Sequence, residues 1–169
     1  MPDTYKTEEN LKTAFAGESQ ANCRYLFFAD KAEKEGYSQV ARLFRAAAEA
    51  ETIHARNHFE AMDAIGSTRD NLTAAAIGEH YEFTRMYPPF IAIAEDEQND
   101  RSVRSFNLAN EVEQIHHSLF EATLKEVEAG QPVKDVPYHV CQICGNTVAG
   151  NAPDKCSVCG ATRQFKRID

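Results

Sequence analysis

Glu51-Thr52-Ile53-His54 lies in a run with apolar residues at helical spacing, and the same pattern returns 62 residues later as Glu113-Gln114-Ile115-His116. A Glu and a His three positions apart project from one face of a helix, one turn from each other. A single pair of this kind is weak evidence, because both residue types are common on helix surfaces. Two pairs at a fixed separation indicate that the chain contains a repeated helical element.

The repeat extends well beyond these two pairs. Matches at a shift of 62 include Tyr25 with Tyr87, whereas Gly17-Glu18 matches Gly78-Glu79 at a shift of 61. Strong helix formers and apolar residues at helical spacing fill both copies. A helix hairpin used twice supplies four apolar stripes that one core can bury. The pattern therefore predicts an all-α four-helix bundle.

The helix boundaries are predicted from glycine, proline and capping residues. Gly36 and Gly130 are positioned to end helices, and Ser38 is positioned to cap the second helix. Pro88-Pro89 is expected to kink or break the third helix, because neither proline has an amide donor. The predicted helices cover residues 7–35, 38–65, 72–87, 90–98 and 100–129, with a polar linker at 67–71.

Composition narrows the class of protein. The 169 residues are 43% hydrophobic and 26% charged, which is typical of a soluble globular protein. Residues 138–169 carry a charge of +2 and the remainder carries −10, so an acidic body argues against nucleic acid as a partner. No apolar run reaches membrane-spanning length, and the first residues have no signal-peptide core. We expect a cytoplasmic protein with neither nucleic acid nor membrane as its partner.

Each copy of the repeat supplies one single glutamate and one Glu-x-x-His pair. This is the ligand inventory of carboxylate-bridged di-iron or di-manganese sites in helix bundles. Four carboxylates balance the charge of two divalent cations, and neutral imidazoles suit iron or manganese. The alternative is a set of solvated charges and ion pairs on helix faces, which the agreement with the repeat disfavours. The predicted ligands are Glu18, Glu51, His54, Glu79, Glu113 and His116.

One acidic residue breaks the symmetry of the repeat. Glu82 lies three positions after Glu79 and shares its helix face, whereas the matching position in the first copy is Ala21. Glu82 is therefore either an additional ligand or an ordinary helix-surface acid. Tyr25 and Tyr87 lie two turns beyond the single glutamates, where they could hydrogen-bond ligand carboxylates or fill the apolar core. Three histidines outside the repeat are interpreted as surface residues or as residues around the ligands: His58, His80 and His117.

Four of the five cysteines form two metal-binding knuckles, Cys141-x-x-Cys144-Gly145 and Cys156-x-x-Cys159-Gly160. A glycine after the second cysteine suits a tight turn that needs positive φ. Four thiolates predict one tetrahedral ion, and the spacing suits zinc and iron alike. The module contains few apolar residues, so we expect it to fold only with its metal. Cys23, the fifth cysteine, is expected to be a small buried apolar residue.

Together these motifs resemble the rubrerythrin family, and the resemblance spans essentially the whole chain. Gly17-Glu18-Ser19-Gln20-Ala21, Gly78-Glu79-His80-Tyr81-Glu82 and the two Glu-x-x-His pairs carry the ferritin-like part. The two cysteine knuckles carry the rubredoxin-like part. The resemblance implies a ferritin-like di-iron bundle over residues 1–135 and a rubredoxin-like domain over residues 136–169.

The resemblance also implies an activity, that of a non-haem di-iron peroxidase that reduces hydrogen peroxide to water in protection against oxidative stress. It adds Glu82 to the six di-iron ligands above and gives the four cysteines a single iron that relays electrons. In the family, one iron shifts between a histidine and the additional glutamate as the redox state changes, which here are His54 and Glu82. The implied partners are hydrogen peroxide, a rubredoxin or NAD(P)H-dependent reductase as electron donor, and a second copy in a homodimer. In such dimers the rubredoxin-like module approaches the partner's di-iron site.

Two other functions are compatible with the same residues. A ferritin-like ferroxidase would use the bundle site to oxidise and hold iron with dioxygen, but it has no need of a four-thiolate redox module. A non-catalytic binding module would combine a zinc ribbon with a structural metal in the bundle. The sequence also leaves open whether the helices pair within one chain or exchange between two.

Overall fold

A computed structural model describes residues 4–168 of the protein, which are predominantly helical. The chain divides into two compact units, one up to Gly66 and one from Ser67 onward. None of the helices in the described residues is both long enough and apolar enough to cross a bilayer. The helices are α1 (Thr4–Lys34), α2 (Ser38–Ala61), α3 (Thr68–Tyr81), the π-helix Glu82–Met86, α4 (Tyr87–Asp96) and α5 (Asp100–Glu128).

The first unit is a hairpin of α1 and α2 around small buried residues. Ala29, Ala32 and Ala41 form its core and Phe44 packs against them. Small side chains at these positions let the two helix backbones approach closely. Gly36, at φ +85°, makes the predicted turn. The tight pairing fixes how the acidic side chains of the two helices face each other.

Both ends of α2 differ from the prediction. Ser38 is the first helical residue rather than the cap, and its hydroxyl donates to Glu33 Oε1 at 2.9 Å. The helix ends at Ala61 rather than at residue 65, because Asp63 takes a left-handed conformation at φ +50°. The amide of Ala64 then turns back to the carbonyl of Phe59 at 3.2 Å.

The second unit repeats the hairpin. Gln98, which matches Gly36 at a shift of 62, also has a left-handed φ of +54°. The amide of Asn99 reaches the carbonyl of Ala94 at 2.9 Å, as the amide of Tyr37 reaches its matching carbonyl in the first turn. Asn99 caps α5 by accepting from the amide of Ser102 at 3.2 Å. The beginning of α5 is therefore as predicted.

Matching aromatic trios show that the repeat extends to side-chain packing. In the first unit the ring centroids lie 5.5–6.4 Å apart, and in the second they lie 5.8–6.5 Å apart. The first trio joins α1 to α2, and the second joins α4, which continues the helical segment of Glu79, to α5. The trios are Tyr25, Phe28 and Phe44, and Tyr87, Phe90 and Phe106.

The third helical segment corrects two predictions. The polar stretch at 67–71 is largely helical, because Ser67 and Asp70 form a reciprocal capping box at the beginning of α3. Pro88-Pro89 neither breaks nor ends the segment, which stays helical through the π-helix into α4. The amide of Tyr87 bonds the carbonyl of Glu82, five residues back, and both prolines fall in the first turn of α4. A first turn tolerates proline, since its amides have no partner within the helix.

The C-terminal module is a small antiparallel sheet carrying two cysteine turns. Its strands are β1 (Tyr138–Cys141), β2 (Thr147–Ala149) and β3 (Phe165–Ile168), in the order β2-β1-β3. Gly145 and Gly160 have φ of +84° and +74°, which confirms the prediction of left-handed glycines after the second cysteine of each knuckle. The boundary between the compact units lies at Gly66, and the domain boundary at residue 135 stays a prediction.

Candidate metal centres

A first group of metal-ligand side chains lies within the α1–α2 hairpin. It consists of Glu18 from α1 and of Glu51 and His54 from α2, and one ligand atom of each lies within 4.8 Å of the other two. His54 Nδ1 lies 2.9 Å from Glu51 Oε2. The one-turn spacing of the Glu-x-x-His pair produces this contact, and the close helix pairing adds Glu18.

The second unit holds a group of the same composition. Glu79 from α3 joins Glu113 and His116 from α5, again with ligand atoms within 4.8 Å of one another. His116 Nδ1 lies 2.8 Å from Glu113 Oε2 and 3.7 Å from Glu79 Oε1. The structure thus brings the six symmetric ligands predicted from the repeat into two triads, one per unit.

Electrostatics in the second triad favours a cation. Burial, followed by the charge of Glu113 and a hydrogen bond with it, raises the pKa of Glu79 to about 7. Burial and the Glu113 charge also raise the pKa of Glu82, while His116 acts in the opposite direction. Crowded carboxylates of this kind bind protons when no cation is present, and a divalent cation relieves their repulsion. Oxygen donors with one imidazole per triad suit iron or manganese.

Glu82 lies at the first position of the π-helix, close enough to Glu113 and His116 for their charges to affect its pKa. Tyr87 lies near the same carboxylates, because after burial the charges of Glu82, Glu113 and Glu79 raise its pKa. These positions agree with the predicted additional ligand and with a tyrosine beside the ligands. Their roles stay predictions.

Four other predicted residues have different surroundings. Tyr25 packs against aromatic rings of its own unit. Cys23 is exposed, so the expectation of a buried apolar residue is wrong. His117 Nδ1 pairs with the carbonyl of Ala76 at 2.9 Å, and its ring lies 5.3 Å from that of His80. Each histidine follows a member of the second triad in sequence, but neither belongs to the triad.

The four predicted cysteines form a compact thiol cluster. Cys141 Sγ lies 3.7 Å from Cys159 Sγ, and Cys144 Sγ lies 3.6 Å from Cys156 Sγ. A tetrahedral ion with metal–sulfur bonds of about 2.3 Å requires sulfurs about 3.8 Å apart, so the cluster fits a single zinc or iron ion.

Hydrogen bonds favour the thiolate form of one cysteine in this cluster, and the thiolate is the form that binds a metal. Burial opposes ionisation of Cys156, but backbone bonds from Cys159 and Val158 and the side-chain amide of Asn146 lower its pKa to about 6. Asn146 is 1% exposed, and its Nδ2 lies 3.4 Å from Cys156 Sγ. Burial raises the pKa of Cys144 to about 12, against a backbone bond from Asn146. The cluster thus holds one ready thiolate, and a metal would complete the ionisation of the others.

Sequence reasoning missed one contact of the second triad. Thr147, the first residue of β2, places its hydroxyl 2.9 Å from His116 Nε2. The same hydroxyl donates to the carbonyl of Gly145 at 3.1 Å, within the first cysteine knuckle. A threonine beside a knuckle gives no local signal for this contact, which depends on how the module lies against α5.

Comparison with known proteins supports both kinds of centre. The rubrerythrin family model matches residues 9–124. The chain is 39% identical to a rubrerythrin of Porphyromonas gingivalis, over 95% of this chain and 88% of the relative. It is 36% identical to a nigerythrin of Nitratidesulfovibrio vulgaris, over 90% and 81% of the two chains. A solved structure of fully reduced, all-ferrous nigerythrin matches at a TM-score of 0.58 and 35% identity, covering 96% of this chain and 86% of the other.

Proposed function

Because this chain belongs to the rubrerythrin family, whose members are oxidoreductases with a di-iron site and a rubredoxin-type iron, we propose that it reduces hydrogen peroxide to water. Family membership confirms the predicted ferritin-like and rubredoxin-like fold class and both predicted iron cofactors. The family is generally linked to oxidative stress. The substrate, the electron route and the residue roles are parts of the proposal.

One observation carries the proposal: a single chain holds two carboxylate–histidine triads and a four-thiol cluster. Two irons held by the carboxylates would supply the two electrons needed for O–O cleavage, and an iron held by the four thiolates would carry one electron at a time. Iron storage would need only the triads. A zinc ribbon would need only the thiols.

The proposal assigns the ligands as follows. As the family resemblance implies, the di-iron site would use the ligands of both triads, and Glu82 would be a seventh ligand that alternates with His54 as the redox state changes. The Tyr87 hydroxyl is protonated at neutral pH, since its ordinary pKa of 10.0 is well above 7 and burial and the nearby carboxylates raise that pKa further, so it can donate a hydrogen bond to those carboxylates. The di-iron ligands are Glu18, Glu51, His54, Glu79, Glu82, Glu113 and His116, and those of the single iron are Cys141, Cys144, Cys156 and Cys159.

Peroxide reduction consumes two electrons and two protons for each molecule and yields two water molecules. We propose that a rubredoxin or an NAD(P)H-dependent reductase supplies the electrons through the thiolate-bound iron. We also propose that the protein is a homodimer, since the first unit exposes Phe27, Leu43 and Ile53, large apolar side chains that a second copy would cover. Sedimentation analysis checks this state, and a monomer at micromolar concentration would contradict it.

The decisive experiment is an anaerobic stopped-flow reaction of the fully reduced, iron-loaded protein. Hydrogen peroxide should oxidise it much faster than dioxygen does, and the red colour of the ferric thiolate centre should then appear. In Cys144→Ser, which loses one ligand of that centre, the bundle irons should still be oxidised once, without the red colour. A thiolate iron that stays reduced in wild type would refute the internal relay. Faster reaction with dioxygen would indicate a ferroxidase instead.

A further inference from the structure

The contacts of the Thr147 hydroxyl favour one hydrogen-bond direction at His116. The hydroxyl has one hydrogen, and the carbonyl of Gly145 at 3.1 Å can only accept it. With that hydrogen donated to Gly145, the hydroxyl oxygen accepts from His116 Nε2, which lies 2.9 Å away. Nε2 then carries a ring proton.

This tautomer leaves the other ring nitrogen free to bind a cation. With the proton on Nε2, the lone pair of the neutral ring is on Nδ1, which lies between Glu79 Oε1 at 3.7 Å and Glu113 Oε2 at 2.8 Å. A lone pair facing carboxylate oxygens is repulsive unless a cation or a proton lies between them. The Thr147 hydroxyl thus holds the ring in the tautomer that a metal ion in the second triad requires.

The matching histidine of the first copy has no such support. His54 Nδ1 pairs with Glu51 Oε2 at 2.9 Å, but no hydrogen bond holds its Nε2 within the described part of the chain. Its side chain is 53% exposed, against 26% for His116. The repeat makes the two histidines equivalent in sequence, and the cysteine module makes them different in structure.

Packing keeps the threonine in place. β2 lies against α5 within the second unit, where a Cβ added at Gly145 would meet Val112 Cγ1 at 3.8 Å. Val112 is 2% exposed, so the first knuckle closes over it. The hydroxyl is thereby held by a structured module rather than by a free loop.

We propose that Thr147 is a positioning residue that fixes the ring of His116 as a permanent metal ligand and leaves His54 as the histidine that can leave its metal. The inference rests on the proposed di-iron function and deepens it. A hydrogen-bond partner behind a ligating histidine fixes its tautomer and orientation, and its loss typically weakens metal binding about 10–100-fold.

The test uses the full chain with zinc in every site, which makes it diamagnetic, and with 15N-labelled histidine. NMR should show that zinc is bound through Nδ1 of His116 and that the Nε2 proton exchanges slowly with water. The signal is assigned to His116 by its absence from the spectrum of His116→Gln. Thr147→Val, which removes the hydroxyl and keeps the shape, should speed this exchange at least about tenfold and weaken zinc binding in the carboxylate site about 10–100-fold. Thr147→Ser should restore wild-type behaviour.

Thr123→Val is the matched control. Thr123 lines the same cavity of about 430 Å³ as Thr147 and His116, but its hydroxyl donates to the carbonyl of Leu119. Zinc bound through Nε2 of His116 in wild type would overturn the inference without any variant. Equal exchange in wild type and Thr147→Val would overturn it too, as would an equal effect of the control. Absence of both zinc and ferrous iron from the carboxylates would overturn the proposed function together with the inference.

Discussion

At the residue scale, Glu79 shows how the site prepares for a cation. Its side chain is 21% exposed and faces Glu113, so ionising both carboxylates without a metal is unfavourable. The metal-free site therefore keeps a proton near neutral pH, and a divalent ion has to displace it. Uptake of metal should be weaker at lower pH for this reason.

The raised pKa of Glu79 predicts how stability depends on pH. The pKa is about 7 in the folded protein against an ordinary 4.5, so the folded state binds this proton more tightly than the unfolded state. The stability of the metal-free protein should therefore fall as pH rises from about 4.5 to about 7, and this contribution should level off outside that range. Denaturant unfolding should show a loss of about 1–3 kcal/mol in wild type relative to Glu79→Gln, since one pKa unit corresponds to about 1.4 kcal/mol.

Glu111→Gln, which neutralises an exposed carboxylate of α5, is the control for this titration. It should keep the pH dependence of wild type. Parallel stability curves for wild type and Glu79→Gln would show that Glu79 is not the titrating group.

The members of the two triads were predictable from sequence, because the repeat places the same residue types at matching positions of both copies. Glu51 and Glu113 are each ordinary alone, but their common spacing to a histidine is not. Thr147 was not predictable, since it lies 31 positions from His116 and meets it only when the module packs on α5. Cys23 was predicted wrongly, because residue type alone does not determine which helix face is buried.

At the element scale, the π-helix explains an irregularity of the repeat. The shift between the copies is 61 at Glu79 and 62 at Tyr87, so the second copy contains one additional residue between them. A π-helical turn holds one residue more than an α-helical turn. The π-helix Glu82–Met86 lies in this interval. An added residue in a regular α-helix would rotate the following residues by about 100°, and the wider turn avoids that rotation.

Deleting one arginine in each copy tests this interpretation. Arg85 lies in the π-helix, and Arg24 is its counterpart in the regular helix α1 at a shift of 61. Deletion of Arg85 should convert the π-turn into an α-turn and leave the aromatic trio in place, at a cost below about 1.5 kcal/mol. Deletion of Arg24 should rotate the following apolar face by about 100° out of the hairpin core and cost several kcal/mol. Circular dichroism and denaturant unfolding measure both effects.

Equal destabilisation by the two deletions would contradict the role given to the π-helix. The prediction of a helix break at Pro88-Pro89 was wrong for a related reason. Proline excludes only hydrogen bonds that its missing amide would have made, and here the prolines fall where a new α-helical turn begins. The one-residue slip in the repeat was the sequence signal for this arrangement.

At the scale of the whole molecule, the chain combines helical units packed through apolar side chains with a module that we expect to fold only with its metal. The hairpins bury alanines and pack aromatic rings across each helix pair, as their helical periodicity predicted. In the module, the fully buried side chains are Cys141, Cys156 and Asn146. Two of these three are predicted metal ligands. Whether the module is ordered should therefore depend on whether the ion is bound.

Replacing one cysteine tests this dependence. Cys144→Ser should lose one equivalent of bound metal and the ordered amide signals of residues 138–168, because three thiolates hold the ion poorly. The helical signal in circular dichroism should stay close to that of wild type. Cys23→Ser, which replaces an exposed cysteine of α1, should change neither metal content nor spectra. An ordered, metal-free module in Cys144→Ser would show that the sheet is stable without its ion.

The extra turn at Glu82–Met86 also has a meaning in terms of genes. If the repeat arose by duplication of one coding segment, the copies now differ by one codon between Glu79 and Tyr87, and the matched residues on either side keep a constant shift. The same interval contains Glu82, whose counterpart is Ala21. One added codon and one replaced codon therefore distinguish the copies here, and an exact duplication would have placed the same residue type at both positions.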